Sequence, residues 1–365
     1  MCYAGPVTEF ARRLANGLGP WFLQHQRDLS WRRTRDPYAI WVSEIMLQQT
    51  RVETVEAYYE GFLKKFPDVG SLAAADESQV LAAWSGLGYY RRARLLHAGA
   101  KYVAKELAGQ VPGDAEALRK IPGVGKYTAG AITSIAFDRP AALVDGNVAR
   151  VLSRLQALAD PKLQDAGAAG HWALAQQIVE AGSPRVLAQA LMELGATVCT
   201  PVAPKCLVCP VRSECAAHKK GLQDVIPAPK KRAPSPTEDL WALAVRHRGR
   251  VLIERRPAEG LLAGMWCLPL IERVDDGGRA SSKQIAAATG VKVQAIEAFT
   301  EPVKHVFTHR VWRLWPCRGE ADAATEMAER TGREGQAETL WIAAGERPVG
   351  GIPRVTEKLL ERLGY

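Results

Sequence analysis

The sequence of 365 residues has no long apolar run and no internal repeat. No stretch approaches the roughly 18 consecutive apolar residues that mark a membrane-spanning helix. The first residues also lack the continuous apolar core of a signal peptide. We therefore expect a soluble protein of a reducing, cytoplasmic compartment that has no membrane partner.

The composition predicts a folded chain with more than one hydrophobic core. The hydrophobic content of 47% is ample for packing, and 365 residues exceed what one core normally organises, so we expect two domains. Lysine and arginine number 48 against 39 aspartates and glutamates, a formal net charge of +9. This balance favours a polyanionic partner, although basic proteins without one are common.

A change of hydrophobic period divides the chain. The segment Asp224–Pro236 (DVIPAPKKRAPSP) is rich in proline and basic residues, which indicates an exposed linker. Apolar residues recur at helical spacing before it, in the stretches 40–62, 78–84, 92–107, 128–137, 148–158 and 172–181. Strand-like patterns follow it at 240–245, 251–254 and 306–315, and a closing helix is predicted at 356–363. We predict a mainly α domain at 1–224, a linker at 225–237 and an α+β domain at 238–365.

Four of the seven cysteines lie within one short, proline-rich segment. Cys199, Cys206, Cys209 and Cys215 have the spacing C-x6-C-x2-C-x5-C. Structural zinc sites usually pair their thiolates across two to four residues, whereas one short pair with two wider gaps suits an iron–sulfur cluster better. Zinc stays open as an alternative, and disulfides are disfavoured because nothing else indicates secretion.

A glycine-containing hairpin is predicted at 121–125, between helical patterns at 115–120 and 126–137. Gly123 and Gly125 allow a tight turn whose backbone amides, at the start of the second helix, can bind a phosphate without reading sequence. Lys126 adds a positive charge beside them. A glycine-capped turn with no ligand is the plainer interpretation of a lone G-x-G.

Two acidic residues have distinctive surroundings. Glu44 interrupts the apolar string Ile40–Leu47, where desolvation would raise its pKa and keep it a proton donor. Asp145 precedes the helical pattern that begins at Val148, where helix amides favour the carboxylate. Such a pair suits cleavage of a bond to a sugar. Taken singly, each acid has a structural alternative, because glutamates often pair or reach solvent and aspartates often only cap helices.

Together these motifs resemble the endonuclease III superfamily of DNA glycosylases, which carry a helix-hairpin-helix. The strings WVSEIMLQQTRVETV, WSGLGYYRRARLLH and MELGATVCTPVAPKC resemble, within it, the adenine DNA glycosylases of the MutY type. The similarity extends from about Trp31 to the C-terminal region. It implies a helix-hairpin-helix at about 115–137, a 4Fe-4S cluster held by the four cysteines at 199–215, and a Nudix-like second domain.

The resemblance implies that the protein excises adenine mispaired with 8-oxoguanine or guanine in duplex DNA, as a monomer associated with the bacterial nucleoid. Glu44 matches the general acid, and Asp145 the carboxylate that stabilises the oxocarbenium ion. Asn147 matches the polar partner of that aspartate. Tyr127 stands where the lyase branch has its attacking lysine, so the resemblance implies a monofunctional glycosylase.

Further positions match the binding residues of the family. Trp31 and Arg32 match residues beside the flipped adenine, and Gln49 and Tyr89 those that wedge into the duplex. The cluster loop carries Lys205, which could reach a phosphate. In the second domain Phe307, Thr308 and His309 match a Phe-Ser-His loop that recognises 8-oxoguanine, with threonine in place of serine. We see no glutamate-rich Nudix metal motif and expect no pyrophosphatase activity.

Two other functions remain open at this stage. A glycosylase of the same superfamily that removes mismatched thymine or uracil would share the cluster and the hairpin, but would not need the second domain. A non-enzymatic iron–sulfur protein that binds DNA would need neither Glu44 nor Asp145.

Overall fold

The computed structural model describes residues 6–229, 234–257, 259–273, 280–307, 309–325, 337–348 and 351–365. By their internal contacts, these form two compact units. The first comprises residues 1–75 and 91–231, and the second comprises residues 76–90 and 232–365. In the described ranges, no helix combines the length and the apolar character needed to cross a bilayer.

The first part of the chain is helical, as predicted. Its helices are α1 (Glu9–His25), α2 (Pro37–Leu47), α3 (Val52–Lys65), α4 (Val69–Ala74), α5 (Glu77–Ala83), α6 (Arg91–Glu106), α7 (Ala115–Leu118), α8 (Lys126–Phe137), α9 (Gly146–Gln156), α10 (Ala169–Glu180), α11 (Pro184–Thr197) and α12 (Ala216–Lys219). All belong to the first unit except α5, which belongs to the second. Short 3-10 turns lie at Ser30–Arg32, Pro161–Gln164, Cys206–Val208 and Arg212–Glu214.

The core of the first unit lies between α1, α9, α10 and α11. Capping residues in the sequence determine where several of these helices begin. Thr8 caps α1, and Ser183 caps α11 ahead of Pro184 at its first position. Apolar residues at helical spacing then face inward and remove a large apolar area from water, which is the main source of stability here.

The stretch 40–62, predicted as one helical pattern, is two helices, so that prediction was wrong in its continuity. Helix α2 ends at Leu47, and Gln49 adopts a left-handed backbone conformation with φ of 57°. Arg92 of α6 donates to the free carbonyls of Ile45 and Met46 at 2.9 and 2.8 Å. A side chain distant in sequence therefore satisfies the end of α2 and allows the turn.

The hairpin between α7 and α8 confirms the predicted helix–turn–helix, with α7 ending at Leu118. Gly123 has φ of 80°, which favours glycine, and a Cβ there would lie 2.7 Å from Leu95 Cβ. Gly125 is the N-cap of α8, so the first amides of that helix have no capping side chain.

The second unit contains one mixed sheet. Its strands are β1 (Thr237–His247), β2 (Arg250–Arg255), β3 (Trp266–Cys267), β4 (Leu270–Glu272), β5 (Val293–Ala298), β6 (Val303–Val306), β7 (Val311–Ala321) and β8 (Thr339–Ala343), with α13 (Ser282–Thr289) and α14 (Arg354–Leu363). The order is β3-β2-β1-β7-β5; β4 also pairs with β1, β6 with β7 and β8 with β2. The central β1–β7 pair is parallel and the other pairs are antiparallel.

Alternate residues of β1 build cores on both faces of the sheet. Trp241, Leu243 and Val245 pack in a cluster with residues of α13, whereas Ala242 and Ala244 pack in a cluster with residues of α14. Because side chains alternate along a strand, a central strand covered on both faces is apolar at successive positions. The predicted α+β class is confirmed.

The predicted strand at 306–315 is divided between the end of β6 and the start of β7, so the prediction was wrong in its continuity. The chain turns between Val306 and Val311, and the Phe307 N–H donates to the Arg310 carbonyl at 2.9 Å. Phe307 and His309, two residues of the triplet proposed to read the lesion, therefore lie between the strands of this hairpin and not within a strand.

Candidate active site

A cavity of about 780 Å³ in the first unit brings most of the predicted catalytic residues together. Two helices form parts of its wall, each with residues at the spacing i, i+3, i+4, i+7 that share one helix face. Helix α2 contributes Ile40, Ser43, Glu44 and Leu47. Helix α11 contributes Gln189, Met192, Glu193 and Ala196.

Glu44 lies on the cavity wall formed by α2. The residues Tyr38–Met46 of this helix are all buried, and Glu44 itself is 5% exposed. Burial raises the pKa of Glu44 to about 7; a hydrogen bond with Tyr127 and the charge of Arg32 oppose the shift, and the charge of Asp145 adds to it. The predicted raised pKa is therefore confirmed, and Glu44 can exchange a proton near neutral pH.

Asp145 is the N-cap of α9, as predicted. Its Oδ1 accepts from the Val148 N–H at 2.7 Å, and its Oδ2 accepts from Asn147 Nδ2 at 3.1 Å. Asn147 is held in turn by Arg150, whose Nη2 donates to Asn147 Oδ1 at 2.9 Å. These bonds orient the carboxylate at the cavity wall.

Tyr127 lies in the first turn of α8 and lines the same cavity. Its hydroxyl donates to the Met192 sulfur at 3.1 Å, and its interaction with Glu44 lowers the pKa of that carboxyl. Burial, followed by the charges of Glu44 and Asp145, raises the pKa of Tyr127 well above its ordinary value. The phenol is neutral under physiological conditions.

Trp31 and Arg32 lie in the 3-10 turn before α2 and line the cavity. The Trp31 ring packs edge-on against Tyr59, with ring centroids 5.4 Å apart. Arg32 Nη2 donates to Glu193 Oε2 at 2.7 Å. Trp31 and Arg32 therefore line the same cavity as Glu44 and Asp145.

Glu193 and Arg27 are site residues that the sequence did not identify. Arg27 donates to Glu193 through its backbone N–H, Nε and Nη2, at 3.1, 2.9 and 2.8 Å. Although burial opposes the effect, these bonds and those of Arg32 lower the pKa of Glu193 to about 2. The position of Glu193 one helical turn from Gln189 and Ala196 was the available signal, but nothing local marks this face as a cavity wall.

The predicted DNA-contacting residues of the hairpin and of the α2–α3 turn also line the cavity. They are Gln49, Gly123, Gly125 and Lys126. The Lys126 ammonium lies 3.7 Å from the centroid of the Trp172 ring, and burial lowers its pKa. Tyr89, in the segment 76–90 of the second unit, is 49% exposed and has a left-handed φ of 49°. Their roles on DNA stay predictions.

The four clustered cysteines line a second, small cavity of the first unit, together with Arg154 and His218. Arg154 Nη1 donates to Cys199 Sγ at 3.3 Å. Across the described parts of the chain, no three His, Cys, Asp or Glu side chains are arranged to hold a single metal ion. Lys205 is exposed on the loop beside these cysteines.

Two members of the triplet assigned to lesion reading are described. Phe307 packs edge-on between His305 and Trp312, at centroid distances of 4.5 and 4.8 Å, and His309 is exposed. Thr308 lies outside the described residues.

Comparison with known proteins places the chain in a family. Residues 42–168 match the model for the HhH-GPD superfamily base excision DNA repair proteins, and residues 240–362 match that for the NUDIX domain. The adenine DNA glycosylase of Rattus norvegicus is 38% identical over 368 residues, which cover 83% of this chain and 69% of that protein. The chain belongs to the adenine DNA glycosylase family. The Homo sapiens adenine DNA glycosylase is 40% identical over 319 residues, covering 73% of this chain and 58% of the human protein.

A solved structure of a thermostable thymine-DNA glycosylase is also similar, with a TM-score of 0.54 and 30% identity, covering 58% of this chain and 98% of that one. The predicted two-part fold, with a helix-hairpin-helix glycosylase domain followed by a Nudix-like domain, is confirmed. So is the prediction of an enzyme: the protein is a DNA glycosylase of base excision repair, a hydrolase of N-glycosyl bonds. The non-enzymatic alternative is thereby removed.

Proposed function

We propose that this glycosylase hydrolyses the N-glycosidic bond of adenine mispaired with 8-oxoguanine, or with guanine, in duplex DNA, without lyase activity. The observation that carries the proposal is the placement of Glu44 and Asp145 in one cavity. Glu44 has a pKa of about 7, raised by burial, whereas Asp145 is fixed as a helix cap. One group can donate a proton while the other supplies negative charge.

The base must leave the duplex to reach these groups, because a stacked adenine is inaccessible to them. A cavity of about 780 Å³ has room for one base and its sugar. We assign the filling of the resulting gap to Gln49 and Tyr89. The hairpin amides at Gly123 and Gly125, with Lys126 and Lys205, would hold phosphates on either side of the site.

Glu44 would act first, by protonating a ring nitrogen of adenine and so making the base a better leaving group. As the bond breaks, positive charge develops on the sugar, and the Asp145 carboxylate, oriented by Asn147, would stabilise it. Glu44, now ionised, would then help to activate the attacking water.

Base recognition is assigned to Trp31, Arg32 and the newly identified Glu193. The arginine–glutamate pair offers both donors and acceptors at one edge of the cavity, which matches a base that has ring acceptors and an amino donor. Trp31 supplies an apolar face beside them.

The absence of lyase activity rests on Tyr127. A lyase of this kind forms a Schiff base between an amine and the sugar, and a tyrosine hydroxyl cannot do so. Lys126 is one position earlier, on a different helix face, and its ammonium lies over Trp172. Borohydride should therefore trap little covalent enzyme–DNA adduct, and efficient trapping would contradict this part of the proposal.

We further propose that Cys199, Cys206, Cys209 and Cys215 hold a 4Fe-4S cluster. All four line one cavity of the first unit. Four cysteine thiolates are the usual ligand set of such a cluster, and one short C-x2-C pair with two wider gaps suits it better than a structural zinc site. Hydrolysis needs no electron transfer, so we assign the cluster a structural role. It would stabilise the fold and hold the loop that carries Lys205 in place. Iron content and broad visible absorbance of purified protein test this, and stoichiometric zinc would contradict it.

The second unit is assigned to reading the base opposite adenine, through Phe307, Thr308 and His309. Oxidation converts the guanine N7 from an acceptor to a donor, and a threonine hydroxyl can accept from it.

The proposal also includes the domain boundaries, the oligomeric state and the location. The domains are 1–224 and 238–365, joined by a linker at 225–237, and the protein is proposed to be a cytoplasmic monomer. Light scattering coupled to gel filtration measures the oligomeric state.

The deciding experiment is single-turnover base release from duplexes that contain A:8-oxoguanine, A:G, T:G or U:G. We expect release of adenine from A:8-oxoguanine to be fastest, and from A:G next. Faster release of thymine or uracil would favour the second candidate, a mismatch thymine or uracil glycosylase, which the similarity to the thymine-DNA glycosylase structure motivates.

A further inference from the structure

Met192 of α11 has an unusual partner in the cavity. The Tyr127 hydroxyl, from α8, donates to its sulfur at an oxygen–sulfur distance of 3.1 Å. The same hydroxyl interacts with the Glu44 carboxyl of α2, and this interaction lowers the pKa of Glu44 against the larger effect of burial. One phenol therefore lies between a thioether and the carboxyl that titrates near neutral pH.

The number of hydrogens on the phenol limits what this group can do. A tyrosine hydroxyl has one hydrogen and can also accept through its oxygen, whereas a thioether sulfur can only accept. While the hydrogen is directed to Met192, Tyr127 can only accept from Glu44, which requires a protonated Glu44. If Glu44 is ionised, its carboxylate needs the Tyr127 hydrogen, and the bond to Met192 is lost.

We propose that Met192 is a positioning residue that engages the Tyr127 hydrogen and thereby favours the protonated form of Glu44 before adenine enters. The inference deepens the proposed function, because it rests on Glu44 as the proton donor. Other charged groups also act on Glu44: Asp145 favours the protonated form, Arg32 opposes it, and Glu193 and Lys126 line the same cavity. Met192 adds a directional, uncharged contribution to these.

The test replaces Met192 by leucine, which has a similar volume but no acceptor, and uses Met46→Leu as the matched control. Met46 is fully buried in α2, two residues from Glu44, and does not line the cavity. In Met192→Leu the protonated state of Glu44 loses support, so the pH at which single-turnover excision declines should fall by about half a unit, as expected for one weak hydrogen bond. Met46→Leu should leave that pH unchanged.

A second measurement does not depend on activity. Carbon-13 NMR of labelled glutamate carboxyls, with the Glu44 resonance identified by its loss in Glu44→Gln, reports the pKa of Glu44 directly. The same downward shift is expected in Met192→Leu. In a Tyr127→Phe background, which has no hydroxyl to share, Met192→Leu should cause no further shift.

Two results would overturn the proposal: an unchanged pKa of Glu44 in Met192→Leu, or an equal shift with and without the Tyr127 hydroxyl. Either would leave the proposed function intact. Failure of that function has a different signature, namely near-normal excision by Glu44→Gln, and this would not alter the NMR result for Met192.

Discussion

Two walls of one cavity carry buried carboxyls that behave in opposite ways. Glu44 on α2 has a pKa raised to about 7, whereas Glu193 on α11 has a pKa lowered to about 2. Burial opposes ionisation of both. The difference is their partners: Glu193 accepts four hydrogen bonds from two arginines, and Glu44 faces a neutral phenol and an opposing carboxylate.

Hydrogen-bonding and charged partners, more than burial, decide whether a carboxyl in this cavity is protonated or ionised. A buried anion is tolerated where cations and hydrogen bonds compensate its lost hydration. A carboxyl without them keeps its proton and can donate it. The cavity thus combines a fixed charge on Glu193 with a proton on Glu44 that can be exchanged near neutral pH.

The largest expected effect comes from removing the proton donor. Glu44→Gln keeps the size of the side chain but cannot titrate, so single-turnover excision should fall by about a hundredfold to ten-thousandfold, while duplex affinity is largely retained. Rapid quench measurements of base release, with binding measured separately, test this. Near-normal excision would show that the raised pKa of Glu44 has no role in catalysis.

Glu193→Gln should lower stability in addition to weakening the proposed base recognition. It leaves Arg27 and Arg32 without their anionic partner, and breaking one side of a buried ion pair typically lowers the free energy of unfolding by about 3–5 kcal/mol. Urea unfolding near neutral pH measures the loss. Asp28→Asn is the matched control, because Asp28 pairs with Arg33 at an exposed site and should change little.

The pH dependence of this loss follows from the sign of the shift. The pKa of Glu193 is about 2 in the folded protein, below its ordinary value of 4.5. Its contribution is therefore present above about pH 4.5 and is lost as the pH falls towards about 2. A difference between wild type and Glu193→Gln that stayed constant across this range would contradict the assignment.

For Glu44, the pH dependence of stability should have the opposite sign. Its folded pKa of about 7 lies above its ordinary value of 4.5, so the folded state retains a proton that the unfolded state releases, and stability falls as the pH rises from about 4.5 to 7. Glu44→Gln should therefore raise the melting temperature by a few degrees at about pH 8 and hardly at all at about pH 4.5. Calorimetry at both values tests this, and an equal change at both would mean that Glu44 titrates normally.

The sequence predicts one of these two carboxyls and not the other, for a physical reason. Glu44 is surrounded by its own apolar neighbours along α2, so its desolvation can be inferred locally. The partners of Glu193 come from positions 161 and 166 residues away, and no local pattern encodes them. Similarly, the end of α2 depends on Arg92, 46 residues beyond Met46, which is why the break before α3 could not be predicted.

The smallest expected effect is a difference between the pH profiles of excision in the Arg32 and Arg27 variants. The charge of Arg32 lowers the pKa of Glu44, and Arg27 is not among the groups that shift it, although both arginines bind Glu193. Arg32→Gln should therefore move the pH at which excision declines upward by a few tenths of a unit, whereas Arg27→Gln should leave it in place. Rates can fall in both variants because both residues line the cavity, so the position of the pH profile is the quantity to compare. Equal shifts in the two variants would mean that the cavity has loosened generally, and that Arg32 does not couple the recognition carboxylate to the proton donor.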